Sequence, residues 1–397
     1  MNSILKELKY GAKNYSPLNV VLKKGKGIFL TDINNKKYYD FLSGYSAVNQ
    51  GHCHPRLIKT LHNQSKKLTL TSRAFYNNKL GDLCEYMCNT FNYTNFIPMN
   101  TGVEACETAI KISRKWGYEV KNIEPNKAAN LFCYNNFWGR TISALSSSND
   151  ELCYKNFGPY TNGFELIEYN NLNVLENKLK NNPNIVSYMV EPIQGEAGVI
   201  VPSTNYLKEA YDLCEKYNVL LIADEVQSGL GRSGKLLACD YDNVKPHILI
   251  LGKSMSGGIV PASGILSNKE IMGVLTPGTH GSTYGGNPLS CAISLEALKI
   301  LFEEDLINNS YKMGKYFRKE LKNLNLKNVK EVRGKGLFNA LEFNEKLHAS
   351  NALENLKNNG LLTNITKNKT LRLTPPLIIN KNQIDQALEI IDKSINL

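Results

Sequence analysis

Two uninterrupted apolar runs, "VLLIADE" (219–225) and "HILILGK" (247–253), constrain this chain more than any other feature. Each has the length of a strand and is apolar at every position rather than at alternate ones. Both faces of such a strand must be covered. A third run, "NIVSYMVEP" (184–192), has the same β character, and "YLKEAYDLCEKY" (206–217) between them sets Leu207, Ala210, Leu213, Cys214 and Tyr217 at helical spacing. Apolar strands separated by amphipathic helices predict a largely parallel sheet with helices on both sides. Ligands of such sheets bind beyond the carboxyl ends of the strands, which is where Asp224 and Lys253 fall. Lys253 stands in "LGKSMSGG" (251–258), among Gly252, Ser254, Ser256, Gly257 and Gly258. Either a strand simply ends at a surface lysine, or the small residues leave a space that the lysine must reach.

The last hundred residues read differently. A long helical stretch near 288–322 leads into "KEVRGKGLFNALEF" (330–343) and "KTLRLTPPL" (369–377). A final amphipathic helix carries Ile384, Ala387, Leu388, Ile391 and Ile395. This predicts a smaller α+β domain, and a chain of 397 residues is long enough for more than one unit. The expected division is an N-terminal segment 1–45, a large domain 46–289 and a small domain 290–397. Segment 1–45 is either a separate arm or part of the small domain.

Composition narrows the class. Hydrophobic residues are 42% and charged residues 21%, as in soluble globular proteins. No apolar run approaches the length of a membrane span. The start, "MNSILKELKYGAKNYSP", has no signal-peptide core and no arginine, so a cytoplasmic location is expected. Nine cysteines without a secretory signal read as reduced thiols. Cys84 and Cys88, four apart on a predicted helix, lack zinc-ribbon spacing. A net charge of +11 would suit nucleic acid, but the lysines are spread along the chain among asparagines, with no block of five like charges. A lysine-rich surface accounts for the charge, and no nucleic-acid or membrane partner is expected.

Several segments carry candidate chemistry. Asp224 closes an apolar run, so its carboxylate needs a cation or a cap. "NTGVEACETAIK" (100–111) opens a helix on which Ala105, Ala109, Ile112 and Trp116 share a face, with Thr101 and Glu104 in a capping-box pattern. It is a well-capped helix, and also one whose Gly102 and Val103 amides can hold a phosphate. In "NNFWGRT" (135–141), Phe137 can stack on a flat ring and Arg140 can grip a carboxylate with its planar fork. "THGSTYGGNP" (279–288) offers the hydroxyls of Ser282 and Thr283 for a second phosphate contact. In "TLRLTP" (370–375), alternation puts Leu371 and Leu373 on one face and Arg372 on the other, toward a cleft or toward solvent. His52 and His54 of "GHCHP" (51–55) are expected on one strand face, but no further ligand stands nearby and no metal is expected.

One cofactor needs this set. Pyridoxal phosphate requires a lysine of depressed pKa to react with its aldehyde and an acid beside its ring nitrogen. It also requires a phosphate cradle and a stacking aromatic. Lys253, Asp224, the helix start at Gly102 and Phe137 supply one of each.

At this point the chain resembles the class III pyridoxal-phosphate-dependent aminotransferases. The resemblance runs over nearly the whole sequence through "YSAVNQGHCHP", "NNFWGRT", "VEPIQGEAGVIVPS", "ADEVQSGLGRSG", "LGKSMSGG", "HGSTYGGNP", "RGKGL" and "RLTPP". It implies the fold-type-one architecture: a large domain with a mostly parallel seven-stranded sheet and a smaller α+β C-terminal domain. It also implies roles. Lys253 carries the cofactor and later moves a proton, Asp224 pairs with the pyridine nitrogen, and Gln227 contacts the ring hydroxyl. Phe137 stacks on the ring, and Gly102 and Val103 hold the phosphate. Thr283, with Ser282 beside it, reaches the phosphate of a neighbouring subunit, which implies a homodimer with active sites at the subunit interface. Tyr15, Tyr45 and Arg140 resemble contacts to an α-amino acid end, and Glu196 resembles a residue that pairs with Arg372. Within the family the pattern is most like members that move the δ-amine of ornithine to a 2-oxo acid. Acetylornithine or another ω-amino acid is the alternative substrate, and Tyr45 argues against it. Intact Lys253 and Asp224 argue against a non-catalytic binding protein on the same scaffold. The sequence departs from the family's pattern at Ser228, Ser233, Ile259 and Val260, none of which carries a named role.

Overall fold

In the computed structural model, which describes residues 3–396, the apolar runs form the centre of a seven-stranded sheet. Its strands are β4 (Asn95–Met99), β5 (Ala129–Cys133), β6 (Phe164–Ile167), β7 (Ile185–Val190), β8 (Leu220–Asp224), β9 (Ile248–Leu251) and β10 (Ser263–Ser267). They lie in the order β4-β10-β9-β8-β7-β5-β6. The five strands from β9 to β6 are mutually parallel, and β10 runs antiparallel to β9 and β4.

Why the runs are continuous is visible in what each residue touches. Along β8, Leu221 and Ala223 join one buried cluster and Leu220 and Ile222 join the other. The first cluster includes Leu207, Ala210 and Cys214 of the helix Tyr206–Lys216. The second includes Ala105, Ala109, Ile112 and Trp116 of the helix Gly102–Glu119. Each fully buried Leu or Ile contributes about 1.5–3 kcal/mol. A charged residue at Ile222 or Ile250 would be buried in an apolar cluster and would strongly destabilise the sheet.

The chain ends fold together. Strands β1 (Leu22–Lys26), β2 (Phe29–Asp32) and β3 (Lys37–Asp40) are antiparallel, and β13 (Leu361–Leu362) pairs in parallel with β3. The N-terminal segment therefore packs with the smaller C-terminal domain. That domain also holds the antiparallel sheet β11-β12-β15-β14, made of Val329–Lys335, Phe338–Phe343, Thr370–Leu373 and Asn364–Thr366. The long helical stretch expected near 288–322 is two helices, Pro288–Glu303 and Leu306–Asn323. The break falls at Asp305, whose φ of 51° is left-handed, a conformation that aspartate tolerates better than most residues. The last helix, Lys381–Ile395, buries Ile384, Ala387, Leu388 and Ile391 on one face.

A fully buried arginine joins the two parts. Arg232, in the loop after β8, donates to the carbonyls of Leu337 (3.0 Å) and Pro375 (2.6 Å) and to Asn49 Oδ1 (2.5 Å). Pro375 lies just past β15, so this contact fixes the strand that carries Arg372. Among the described residues no helix is long and apolar enough to cross a membrane.

Candidate active site

Three adjacent parallel strands end in titratable side chains. Glu191 follows β7, Asp224 closes β8 and Lys253 follows β9 by two residues. Register places Val190 beside Ala223, so Glu191 and Asp224 are neighbours one step further on. Asp224 is buried, and it accepts from the Val226 amide (3.0 Å) and weakly from the Cys106 thiol (3.7 Å). Desolvation raises its pKa despite these donors and the nearby Lys253. Lys253 has left-handed backbone at φ 43°, and burial lowers its pKa, with Glu196, Asp224 and Glu191 pulling the other way and Arg372 adding to the fall. An amine in that state reacts more readily than an exposed lysine.

The helix Gly102–Glu119 points its start at this cluster. Its capping box is complete: the Thr101 amide donates to Glu104 Oε2 (2.7 Å), and the Glu104 amide donates to Thr101 Oγ1 (3.3 Å). The box leaves the amides of Gly102 and Val103 with no acceptor among the described residues, because the first turn has no preceding carbonyls to offer. A Cβ at residue 102 would press on Val226 Cγ1 at 3.1 Å, so backbone there runs close to the loop after Asp224. Nearby, Ser282 Oγ accepts from Asn100 Nδ2 (3.1 Å) and from the Gly285 amide (2.9 Å). Thr283 is exposed.

The aromatic pair of "NNFWGRT" splits. Trp138 turns inward, stacks on Phe132 at 5.9 Å and donates to Ser147 Oγ (2.8 Å). Phe137 stays half-buried beyond the carboxyl end of β5, with the exposed Arg140 guanidinium 5.7 Å from its ring. These positions fit pyridoxal phosphate: an amine, an acid, two free amides and an aromatic face converge on one end of one sheet.

On the other side of the cluster lies an ion pair. Arg372, only 1% exposed, does not face solvent; its Nη1 donates to Glu196 Oε1 at 2.5 Å. Its Nε has no acceptor among the described residues. Arg372 holds the Glu196 carboxyl below the usual range against the opposing effect of burial. The guanidinium lies 5.1 Å from the centre of the Tyr45 ring, a cation–π contact. Gln227 hydrogen-bonds Glu196 and reaches the Tyr45 carbonyl (3.4 Å). Tyr45 belongs to a left-handed turn, Ser43–Ser46, and Tyr15 is 72% exposed.

The two histidines do not share a face. His52 Nε2 lies 2.6 Å from Asp40, and His54 opens the helix Pro55–Ser65 and faces Glu304 at 3.2 Å. The chain turns between them at Cys53, where φ is 50°. Glu191 and Cys106 were not singled out by sequence reasoning. Glu191 carried the signal that marked Asp224, a carboxylate ending an apolar run; Cys106 carried none, being one small residue on a helix face.

A family model described as aminotransferase class-III matches residues 10–395. An ornithine aminotransferase, mitochondrial, of Drosophila melanogaster is 55% identical over 390 residues, 98% of this chain and 90% of that protein. A structure of the ornithine aminotransferase from Toxoplasma gondii, with partial occupancy of PLP at its active site, superposes with a TM-score of 0.98 at 48% identity, covering 99% of this chain and 93% of that one. An acetylornithine aminotransferase from Elizabethkingia anophelis superposes with a TM-score of 0.91 at 46% identity, covering 99% and 98%.

Proposed function

The chain belongs to the class III aminotransferases, and from that premise we propose that it transfers the δ-amino group of L-ornithine to a 2-oxo acid, 2-oxoglutarate, giving glutamate 5-semialdehyde and glutamate. The observation that carries this reading is the Arg372–Glu196 pair. Such an enzyme must accept a diamino acid and a dicarboxylic acid in one cleft. A buried guanidinium masked by a movable carboxylate answers that need: masked, it leaves room for an amine, and unmasked, it takes a second carboxylate.

Pyridoxal phosphate supplies an electron sink when bound. Lys253, Asp224, Phe137, Gln227 and the amides of Gly102 and Val103 would hold it. The Nζ of Lys253, whose pKa burial lowers, takes the proton from the δ-carbon of ornithine. Asp224 presents a buried carboxylate that a protonated ring nitrogen would compensate. Arg140 holds the α-carboxylate of ornithine, and the hydroxyls of Tyr15 and Tyr45 accept from its α-ammonium. Ser282 and Thr283 serve a second copy in a homodimer; the exposed Thr283 and Tyr284 support this, and sedimentation tests it. We keep 46–289 and 290–397 as the two domains, with 1–45 joined to the second. The location is proposed as cytoplasmic, and fractionation tests it against the mitochondrial placement in the fly relative's name.

The likeness to an acetylornithine aminotransferase gives the second reading, in which the α-amine is acylated. The deciding experiment presents ornithine, N-acetylornithine and 4-aminobutyrate with 2-oxoglutarate and identifies the products. Ornithine consumed with formation of the cyclised semialdehyde is expected; faster turnover of N-acetylornithine overturns the reading.

A further inference from the structure

Glu191 is a buried carboxylate at the strand ends, next to Asp224, that the reaction just described does not use. Both of its oxygens are occupied by backbone. Oε1 accepts from the Phe137 amide (3.0 Å), and Oε2 accepts from the Gly195 amide (3.1 Å). These amides belong to different segments. Phe137 follows β5, and Gly195 lies in the loop after β7, directly before Glu196. No strand pairing joins residue 137 to residue 195.

Both segments are confined elsewhere too. The Asn136 side chain donates to the carbonyls of Cys133 and Ser147 (both 2.7 Å), and Gln194 Nε2 donates to the Tyr134 carbonyl (2.9 Å). Gly195 lies against the Gln227 side chain: a Cβ there would fall 1.6 Å from Gln227 Oε1 and would displace it. The Glu196 carbonyl accepts a hydrogen bond from Thr366, and its carboxylate faces Arg372. Gln194 ties the two segments at Tyr134, and Glu191 ties them at the backbone under the stacking ring and at the backbone that aims the masking carboxylate.

We propose that Glu191 is a positioning residue, which holds the amides of Phe137 and Gly195 on its two oxygens and so sets the Phe137 ring and the Glu196 carboxylate relative to each other. This rests on the reading of Glu196 as the mask of Arg372. Burial of a carboxyl beside Asp224 is unfavourable, and the two amide donors offset part of that cost. The energy of the link is therefore placed where it joins two parts of the cleft.

Glu191→Gln tests it, since a carboxamide keeps the shape and one acceptor oxygen but loses the other. In the variant holoenzyme, hydrogen–deuterium exchange should quicken by about 2- to 10-fold at Phe137 or Gly195, the loss expected for one hydrogen bond. The ratio of glutamate to ornithine reactivity in the first half-reaction should change about 5-fold or more, and the cofactor dissociation constant should rise. A side chain that only fills space would lower Tm and leave exchange at the two amides and the ratio as in the parent; that result overturns the proposal. If the variant does not fold, the parent decides. Exchange at Phe137 and Gly195 as fast as at the exposed Asn149 overturns it, and slow exchange at both supports it. A parent that reacts with neither amino acid would instead fail the ornithine reading and leave the exchange result to judge the link.

Discussion

Asp224, Glu191 and Lys253 are fixed by three neighbouring strands, and their ionisation is shifted by burial and by one another. Tyr15 and Arg140 share the same cleft in the proposed mechanism, yet they stand in solvent. The floor of the site is thus complete within one chain, whereas the rim acquires its contacts only from what arrives there. Perturbing the floor should change chemistry for every substrate. Perturbing the rim, or the Arg372–Glu196 pair that borders it, should change which substrate is chosen.

The sharpest break is at the floor. Lys253→Ala should lower turnover by at least about 10³-fold for every amino donor, within the range expected for a lost acid–base group, and leave the fold intact. Borohydride treatment of the parent should fix the cofactor to Lys253, read by mass spectrometry; an adduct on another lysine would sink the assignment. Asp224→Asn should follow, at about 10²- to 10³-fold, the size of effect seen when a positioned electrostatic group is removed. It should slow ornithine and 4-aminobutyrate alike, and a variant as fast as the parent would show that Asp224 is not the ring partner.

This division also governed what the sequence could reveal. β8 and β9 were legible because burial on both faces leaves their runs apolar, so Asp224 stood out as the polar residue that closes β8 and Lys253 as the first charged residue beyond β9. Glu191 was equally legible but went unassigned, since its partners are backbone amides and a sequence does not show where amides point. Arg372 alternated with leucines, which left cleft and solvent open; only packing against β12 and Glu196 decides for the cleft. Arg140 was marked only by its place in the polar, glycine-containing segment 135–141, and Tyr15 has no periodic or compositional signature, so only family resemblance singles it out. The helix expected across 288–322 failed at Asp305 because continuous helical spacing does not record a single left-handed residue.

At the rim, Tyr45→Phe isolates the hydroxyl. The ring can stay beside Arg372, and the left-handed backbone at φ 59° is spared the β-branched residue it would tolerate poorly. A lost hydrogen bond to a charged group is worth about 10- to 150-fold, so catalytic efficiency should fall by that much for ornithine and little for 4-aminobutyrate, which has no α-amine. An equal fall for both would place Tyr45 with the floor. Glu196→Gln should act in the opposite sense on choice: with its mask uncharged, Arg372 should raise the ratio of glutamate to ornithine reactivity by about 10-fold. An unchanged ratio would remove the masking role. Gln is preferred to Ala because it keeps an acceptor beside a guanidinium that is almost wholly buried.

The smallest effect is on stability, and it separates the floor from the rest of the molecule by pH. Burial and the neighbouring Asp224 push the Glu191 carboxyl up to about 8 from an ordinary value of 4.5. A carboxyl raised on folding binds its proton more tightly in the folded state. Its contribution is therefore fully present below about pH 4.5 and is lost as pH rises through about 8. Glu225, raised to about 7 by burial, adds a loss of the same sign. Lys121, lowered to about 8, opposes them at the alkaline end. Glu342, held near 2 mainly by Arg333 and Lys369 against its own desolvation, matters only in acid. These groups titrate alike in parent and variant, so the difference between two proteins reads Glu191 where the slope of one does not. For the cofactor-free chain, urea midpoints at pH 5.5 and 8.5 should fall further in the parent than in Glu191→Gln. The difference should be about 3 kcal/mol at most, since a pKa of about 8 lies roughly 2.5 units above pH 5.5 and each unit is worth about 1.4 kcal/mol. Parallel loss in both proteins would mean that the Glu191 carboxyl is already ionised at pH 5.5, and that its two amide donors outweigh its burial beside Asp224.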